Sequence, residues 1–374
     1  MKHSLHTTEL KTGLLNCRRF FKHRYIPKLS SWVLIIAILS ISAPLPGASR
    51  PAACLKKPHH TFSLYLENDA FIGEDDQYTN GIKLTWSRFG LPGLPDDAWL
   101  HKWLYPAVRS FGFDAADGSE KAITFSIGQN IFTPDDIKEE QLIKGDRPYA
   151  GFTYIELGFH KRRLHHMHTL GLCVGIVGPA SYAENLQSAL HDIIDSNGVK
   201  GWDNQLKNEP VIGIFYDYKK RLLATGLRGR FGSDLIFNTG GTLSNALTAY
   251  NLGLLYRWGW NIPVDCGNFP IQPAACFNAE MEKELCLKPK TRFGAHLFLS
   301  ANGRAVLHNI FLDGNTFRDS HSVDKKPFVG TFMSGIGLNS GRIKTVLACV
   351  YQTKEFDMQN DEQIFGSLTF AFRY

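Results

Sequence analysis

The chain has 374 residues, enough for one large domain or two small ones. Its formal net charge is +6, but residues 1–50 alone carry +7 and the remainder carries −1. The basic charge therefore belongs to the N-terminal segment, and this excludes nucleic acid as the partner of the rest of the chain.

The N-terminal segment predicts export. A basic region reaches Lys28 and is followed by the apolar stretch WVLIIAILSISA, which is too short to span a bilayer comfortably. Small residues within 47–54 place the cleavage site there. We therefore expect a signal peptide and leader over residues 1–50 and an exported domain over 55–374. An N-terminal membrane anchor and lipidation of Cys54 stay open as alternatives.

Twelve segments beyond the leader alternate between apolar and polar residues with a period of two, which is typical of β-strands. The first two read TFSLYLEN and GIKLTWSRFG. The twelve predicted strands are 61–68, 81–90, 121–131, 148–160, 167–178, 210–222, 224–236, 246–258, 293–311, 327–338, 343–354 and 366–374. We interpret 293–311 as one long strand with a bulge, because splitting it would give thirteen.

Two kinds of sheet fit this pattern, a soluble sandwich and a membrane barrel whose apolar face meets lipid. Export, the even strand number and the alternating aromatic end SLTFAFRY favour the barrel. The sequence thus predicts an all-β fold, a 12-stranded antiparallel transmembrane β-barrel with periplasmic termini in a bacterial outer membrane. The outer loops would be 68–77, 132–147, 179–209, 237–245, 312–326 and 355–365.

The periplasmic connection 259–290 is unusually long and contains Cys266, Cys276 and Cys286. An exported chain meets an oxidising compartment, so a disulfide among them is plausible. The spacing fits no zinc site, and it leaves the pairing open.

One outer loop contains a helical pattern, SYAENLQSALHDIID. Ser181 and Glu184 have the spacing of a capping box. The predicted apolar stripe consists of Ala183, Leu186, Ala189, Leu190, Ile193 and Ile194. The opposite, polar face would carry Glu184, Gln187, Ser188, His191 and Asp195. We expect a short extracellular helix that packs on the barrel rim or on lipid, with His191 as either a solvated or a catalytic residue.

The connection between the first two strands is rich in acidic and amide residues, including Asn68 and Asp69. A plain hairpin needs only two turn residues. Carboxylate and amide oxygens are ligands that hard cations prefer. The connection therefore indicates a cation site, although Asn, Asp and Thr are also ordinary turn formers.

Six stretches in order resemble the lipid A 3-O-deacylases of Gram-negative outer membranes. They are END (67–69), YTNG (78–81), KGDRPYAG (144–151), GPASYAENLQSALH (178–191), GWDNQL (201–206) and HNIFLDGNTFRDSHSVDKKPFVG (308–330). The resemblance implies a 12-stranded barrel with an active site facing the exterior. It also implies a Ca²⁺-assisted hydrolase that removes the 3′-linked acyloxyacyl chain from lipid A of lipopolysaccharide. We expect a monomer, although the sequence leaves dimerisation open.

Carried over by residue, the resemblance makes His191 the general base. Asp69 would hold the metal or orient water, with Asn68 supporting it. Thr79 would complete the polar site, and Lys144 would meet a phosphate or the developing oxyanion. The family's acidic residue after the helix histidine has no clear counterpart in DIIDSNG. Two other functions stay open, an outer-membrane phospholipase and a non-enzymatic binding barrel.

Overall fold

The computed structural model describes residues 59–69, 80–91, 106, 109–113, 118–163, 165–194, 199–226, 230–267, 270–271 and 293–374. The leader 1–50, the region 47–54, Thr79, Asp195, Cys276 and Cys286 lie outside these ranges. Among the described residues, none of the helices has the length and apolar character needed to cross a membrane.

Twelve antiparallel strands form a closed barrel in which each strand pairs with its chain neighbours and β1 pairs with β12. This confirms the predicted 12-stranded antiparallel barrel. The strands are β1 His59–Asn68, β2 Asn80–Phe89, β3 Glu120–Phe132, β4 Ala150–Arg163, β5 His166–Val177, β6 Glu209–Thr225, β7 Phe231–Ser244, β8 Leu247–Trp260, β9 Phe293–Asn309, β10 Phe328–Ser340, β11 Ile343–Gln352 and β12 Gln363–Arg373.

The two faces of the barrel wall differ in polarity, as alternation along each strand requires. On β3, Phe125 and Ile127 are exposed and face outward, whereas Thr124 and Ser126 are buried in the lumen. The lumen contains polar cross-strand pairs, such as the Lys83 Nζ–Glu156 Oε2 ion pair at 2.5 Å, and also a buried apolar cluster to which Met333 and Val350 belong. An outward apolar band around a lumen with many buried polar side chains is the arrangement expected of an outer-membrane barrel.

The long connection after β8 folds back into the lumen. Asp265 forms ion pairs with Arg257 on β8 and with Lys344 on β11, the latter at 2.7 Å. Farther along, the backbone N–H of Ile271 donates to Glu67 Oε1 at 2.7 Å, at the outer end of β1. The described part of this connection, Asn261–Gly267 and Pro270–Ile271, therefore crosses the barrel from the periplasmic toward the outer end. This explains its length, which is unusual for a periplasmic turn.

The predicted boundaries between β6, β7 and β8 are wrong. The periplasmic turn follows Thr225, where Gly226 adopts a positive φ of 58°. A Cβ at Gly226 would lie 1.9 Å from the Phe231 carbonyl oxygen. The segment predicted as outer loop 237–245 belongs mostly to β7, and only residues 245–246 connect it to β8. Its small and polar residues suit lumen-facing positions such as Asn238 and Thr242, which explains why the composition resembles that of a loop.

The prediction of one long ninth strand with a bulge is confirmed, since β9 runs without a break from Phe293 to Asn309. The bulge lies at Leu307: Val306 is opposite Ala249 and His308 is opposite Thr248. Cys266 is a free thiol among the described residues.

Two helices lie in the outer loops. Helix α1 (Ala183–Ile194) belongs to the connection between β5 and β6, and α2 (Ile310–Asp313) follows β9. The 3₁₀ turns Pro179–Ser181 and Trp202–Asn204 flank α1 on either side. The predicted extracellular-loop helix is confirmed.

Candidate active site

Four outward positions lie in one row at the outer ends of β1 to β4. Asn68 is opposite Asn80, Asn80 is opposite Ile131, and Ile131 is opposite Gly151. This row is the outermost rung of the barrel wall on its lipid-facing side. Ile131 is nevertheless only 1% exposed, so another part of the chain must cover the row.

Helix α1 and the turn before it provide that cover. An ideal Cβ at Gly151 would lie 2.1 Å from Ala183 Cβ and 2.2 Å from Ser181 Oγ. Only glycine permits so close an approach of the helix to the strand. Ile131, Tyr149, Ala183 and Trp202 form one buried apolar cluster, with Leu186 packed against it. The helix therefore rests on the outside of the barrel, above the row that begins with Asn68.

Polar side chains of the wall fix the turn before α1. Gln129 Nε2 donates to Thr153 Oγ1 at 2.8 Å and to the Ser181 carbonyl oxygen at 2.7 Å. Thr153 Oγ1 donates to the same carbonyl at 2.8 Å. These bonds set the position at which the helix enters the site.

A second contact holds the middle of α1. The Trp202 indole N–H donates to Gln187 Oε1 at 3.0 Å, and the Trp202 ring packs on Tyr149 with centroids 5.1 Å apart. Gln187 is 1% exposed, so its predicted place on the polar face is wrong. Ala189, predicted in the apolar stripe, is exposed. The inward face of α1 is thus set by packing against the Tyr149–Trp202 pair, and not by the apolar stripe alone. These two aromatic residues are themselves buried beneath the helix.

The predicted capping box does not form. Ser181 belongs to the 3₁₀ turn, and Tyr182, with φ of 56°, separates it from the first helical residue. The Ser181 hydroxyl has no hydrogen-bond partner among the described residues, although it is buried. Tyr182 redirects the chain from the wall contact into the helix, so Ser181 lies one position too early to be the N-cap.

Asn68 ends β1, and Asp69 follows it. Asn68 is half-buried on the outward row, and Asp69 is completely buried in the turn that follows. Thr79 lies outside the described residues, one position before Asn80. The two described members of the predicted acidic connection are therefore adjacent at the outer end of β1, with β2 between them and the wall contact of α1 on β3 and β4.

His191 belongs to α1, and its side chain lies outside the described residues. The backbone of the helix carries position 191 one turn after Gln187, on the same side of the helix. That side meets the wall at Gln187. Position 191 is therefore one helical turn beyond the wall contact at Gln187.

Lys144 does not lie within this packed contact. It is exposed in a turn of the connection between β3 and β4. The residues after it are buried: Arg147 forms an ion pair with Glu355 at 2.6 Å, and Tyr149 reaches the cluster under α1. Burial raises the pKa of the Asp146 carboxyl group. The backbone N–H groups of Asp135 and Arg147 donate to this carboxylate and offset part of the rise. Lys144 is therefore exposed, but the residues that follow it in the loop are fixed. Arg147 attaches them to Glu355, and Tyr149 attaches them to the cluster under α1.

Sequence reasoning missed Gln129, Gln187 and Arg147 as residues that shape the site. Gln187 had a usable signal, because it precedes His191 by four residues and so shares its helix face. Arg147 is part of the KGDRPYAG stretch, but only the fold shows that it pairs with Glu355, 208 residues later.

The chemistry of the donors fits a hard cation at the end of β1, where Asn68 and Asp69 offer amide and carboxylate oxygens. Three buried polar atoms near α1 have no hydrogen-bond partner among the described residues: Gln129 Oε1, Ser181 Oγ and Gln187 Nε2. Within the described residues no group of three or more His, Cys, Asp or Glu side chains is placed to hold a metal.

Comparison with known structures supports the fold. The structure of LpxR from Salmonella typhimurium matches with a TM-score of 0.66 at 16% sequence identity, covering 83% of this chain and 99% of that one. The β domain of the Bordetella autotransporter BrkA has a TM-score of 0.41 at 9% identity, covering 85% of this chain and 99% of that one. No curated protein matches the sequence.

Comparison with protein families reaches further than the fold. The family model described as "Outer membrane protein LpxR" matches residues 33–374, which is nearly the whole chain. The closed 12-stranded barrel, its outward apolar band and the helix on its outer rim agree with that assignment. The chain therefore belongs to the LpxR family of outer membrane proteins.

Proposed function

We propose that this protein is a lipid A 3-O-deacylase, an ester hydrolase that removes the 3′-linked acyloxyacyl chain of lipid A. The observation that carries the proposal is the place of the candidate site. The proposed residues belong to the outer end of β1 and to α1, which packs on the outward, lipid-facing surface of β3 and β4. A lipid in the outer leaflet reaches such a site with its acyl chains still in the membrane and its sugar at the rim.

The proposed reaction is the attack of water on the carbonyl carbon of the ester. His191 takes a proton from water as the C–O bond to water forms. The bond between the carbonyl carbon and the sugar oxygen then breaks, and the proton passes to that oxygen. The products are the free acyloxyacyl acid and the sugar hydroxyl at position 3′.

The remaining residues have supporting roles. Asn68 and Asp69 would hold Ca²⁺ through their side-chain oxygens, and Thr79 would add a hydroxyl at the start of β2. When bound, Ca²⁺ supplies a Lewis acid that polarises the ester carbonyl. Lys144, exposed on its loop, would meet a phosphate of the substrate or the oxyanion.

Gln187 and Trp202 would orient α1, because their hydrogen bond fixes the turn of the helix that precedes His191. This gives the general base a defined approach to the wall without placing either residue on the substrate. A misplacement of about 1 Å at a catalytic group lowers rates by roughly 100-fold, so such orientation matters for activity.

The proposal is tested with purified protein in detergent micelles containing lipid A. Mass spectrometry of the lipid should show loss of one acyloxyacyl unit with Ca²⁺, and little loss when a chelator is added. The variant His191→Asn should release the acyloxyacyl unit more slowly than the wild type by a factor on the order of 100 or more. Release of fatty acid from phospholipid but not from lipid A would indicate the phospholipase alternative. No release from either, by protein with the gel mobility of a folded barrel, would indicate a binding barrel.

A further inference from the structure

A second polar surface lies on the lipid-facing wall at the opposite, periplasmic end of the barrel. Arg163 at the end of β4 is opposite His166 on β5, which is opposite Lys220 on β6. The intervening residues, such as Met167 and Lys219, are buried in the lumen, so these three side chains face outward. One rung closer to the membrane centre, Lys161, His168 and Tyr218 form a second row.

Within the described residues, no carboxylate balances the charges of this surface. Neither Arg163 nor Lys220 forms an ion pair with any described residue, and no described carboxylate shares the outward face of the two rows. Arg163 and Lys220 place two positive charges on the strands either side of β5. An anion above His166 would interact favourably with both charges.

Hydroxyl groups complete the surface. Tyr218 OH lies 3.0 Å from His166 Nδ1, and Tyr216 OH lies 2.8 Å from His168 Nδ1. A groove of about 540 Å³ opens there, lined by His166, His168, Tyr216, Tyr218 and Thr239. Its donors are suited to phosphate oxygens, and its aromatic rings to the first carbons of a lipid.

Two structural features bound the groove. On one side the chain segment that contains Phe111 packs against it, with the Phe111 ring 6.2 Å from His168 and 6.1 Å from Tyr216 between centroids. On the other side the hairpin of β6 and β7 continues to Thr225, five residues beyond Lys220. The groove therefore opens toward the lipid along the exposed side chains of Val174 and Ile214.

We propose that this shallow groove, together with Arg163 and Lys220 beside it, binds the phosphate-bearing head group of an anionic phospholipid of the periplasmic leaflet. Its height at the strand ends matches the head-group region, where basic and aromatic residues meet anionic lipids. The acyl chains would lie along the apolar wall above it. The groove is on the opposite membrane face from the candidate active site, so this inference stands independently of the proposed deacylase activity.

The test is native mass spectrometry of the full-length protein released from detergent, with phosphatidylglycerol or phosphatidylcholine added at equal concentration. We expect the wild-type protein to retain phosphatidylglycerol in preference to phosphatidylcholine. The variant Arg163→Gln/Lys220→Gln should bind it roughly 20-fold more weakly. The variant Arg163→Lys/Lys220→Arg keeps both charges and should retain the preference, which separates charge from folding.

The matched control is Arg88→Gln/Arg342→Gln. It removes two exposed charges that lie elsewhere, Arg88 on β2 and Arg342 in the turn between β10 and β11. It should bind phosphatidylglycerol like the wild type. Equal losses in the control and in the groove variant, or no preference in the wild type, would overturn the proposal. Displacement of the lipid by an equal concentration of inorganic phosphate would overturn the assignment of a lipid and leave only an anion site.

Discussion

At the scale of single residues, the function proposed here depends on oxygen donors at the end of β1. Asp69 is completely buried and Asn68 is half-buried. Their carboxylate and amide oxygens are ligands that a hard cation prefers. In the proposed function the two residues share a Ca²⁺ ion that activates the substrate.

We therefore predict that Asp69→Asn lowers deacylase activity on the order of 100-fold and that high Ca²⁺ concentrations recover part of it. Asp203→Asn, at an exposed position in the same outer loop as α1, should leave activity unchanged. The measurement is the Ca²⁺ dependence of acyl release by each purified variant. Full activity of Asp69→Asn without added Ca²⁺ would remove Asp69 from the metal site.

At the scale of elements, the contact between α1 and the wall decides the geometry of the site. Gly151 is the closest point of that contact, with space for neither a methyl group nor a larger side chain. The same barrel wall contains Gly303, where an added Cβ would come no closer than 4.0 Å to the Leu252 carbonyl oxygen. The two glycines allow a matched comparison.

Gly151→Ala should displace α1 from the wall at a cost of about 1–3 kcal/mol in helix docking, because the added methyl group overlaps Ala183. The barrel itself should still form. We expect acyl release to fall at least tenfold, while Gly303→Ala stays at the wild-type rate. Hydrogen exchange of the α1 amides provides the structural readout. Unchanged exchange and unchanged activity in Gly151→Ala would show that the helix does not need this contact.

Much of the element scale could be predicted from sequence, because a period of two is strong in strands that separate lipid from a polar lumen. The prediction failed at β7, where small and polar lumen-facing residues such as Asn238 resemble a loop. It also failed at Gln187, because helix periodicity ranks residues by polarity, whereas the wall contact is set by Gly151 and Trp202. Neither contact is local in sequence, so hydrophobic periodicity alone could not place Gln187 against the wall.

At the scale of the whole molecule, buried ion pairs join distant parts of the chain. At the outer end of the lumen, Arg147 pairs with Glu355 and stacks between the rings of Phe132 and Phe356, 5.9 and 5.5 Å from its guanidinium. This links the loop that carries Lys144 to the loop between β11 and β12. The exposed pair Lys326–Asp357, at 2.6 Å, lies nearby.

Arg147→Met should lower the free energy of unfolding by about 3 kcal/mol, since it leaves the Glu355 carboxylate buried with only the longer Arg304 contact. Lys326→Met should change it by less than about 1 kcal/mol, because that pair is exposed. Urea unfolding of the protein in lipid vesicles measures both. Equal effects of the two substitutions would contradict the role of Arg147 as an anchor between loops.

The segment in the lumen leads to a further prediction. Asp265 joins it to Arg257 and Lys344, so Asp265→Ala should release it from the barrel wall. We expect single-channel recordings in planar bilayers to show larger and more frequent conductance openings than the wild type. Asp357→Ala, in an outer loop, is the control and should behave like the wild type. If neither variant shows larger or more frequent openings than the wild type, the segment blocks the lumen without the Asp265 anchor.

The measurement that tests the central claim most directly is mass spectrometry of lipid A from Gram-negative cells that express this protein or His191→Ala at the same folded level. The account predicts that lipid A loses one 3′-linked acyloxyacyl unit in cells with the wild-type protein and stays intact with His191→Ala. Intact lipid A in both, with Ca²⁺ supplied and the barrel shown to be folded, would contradict the deacylase function. Loss of the unit in both would retain the activity and exclude His191 as its base.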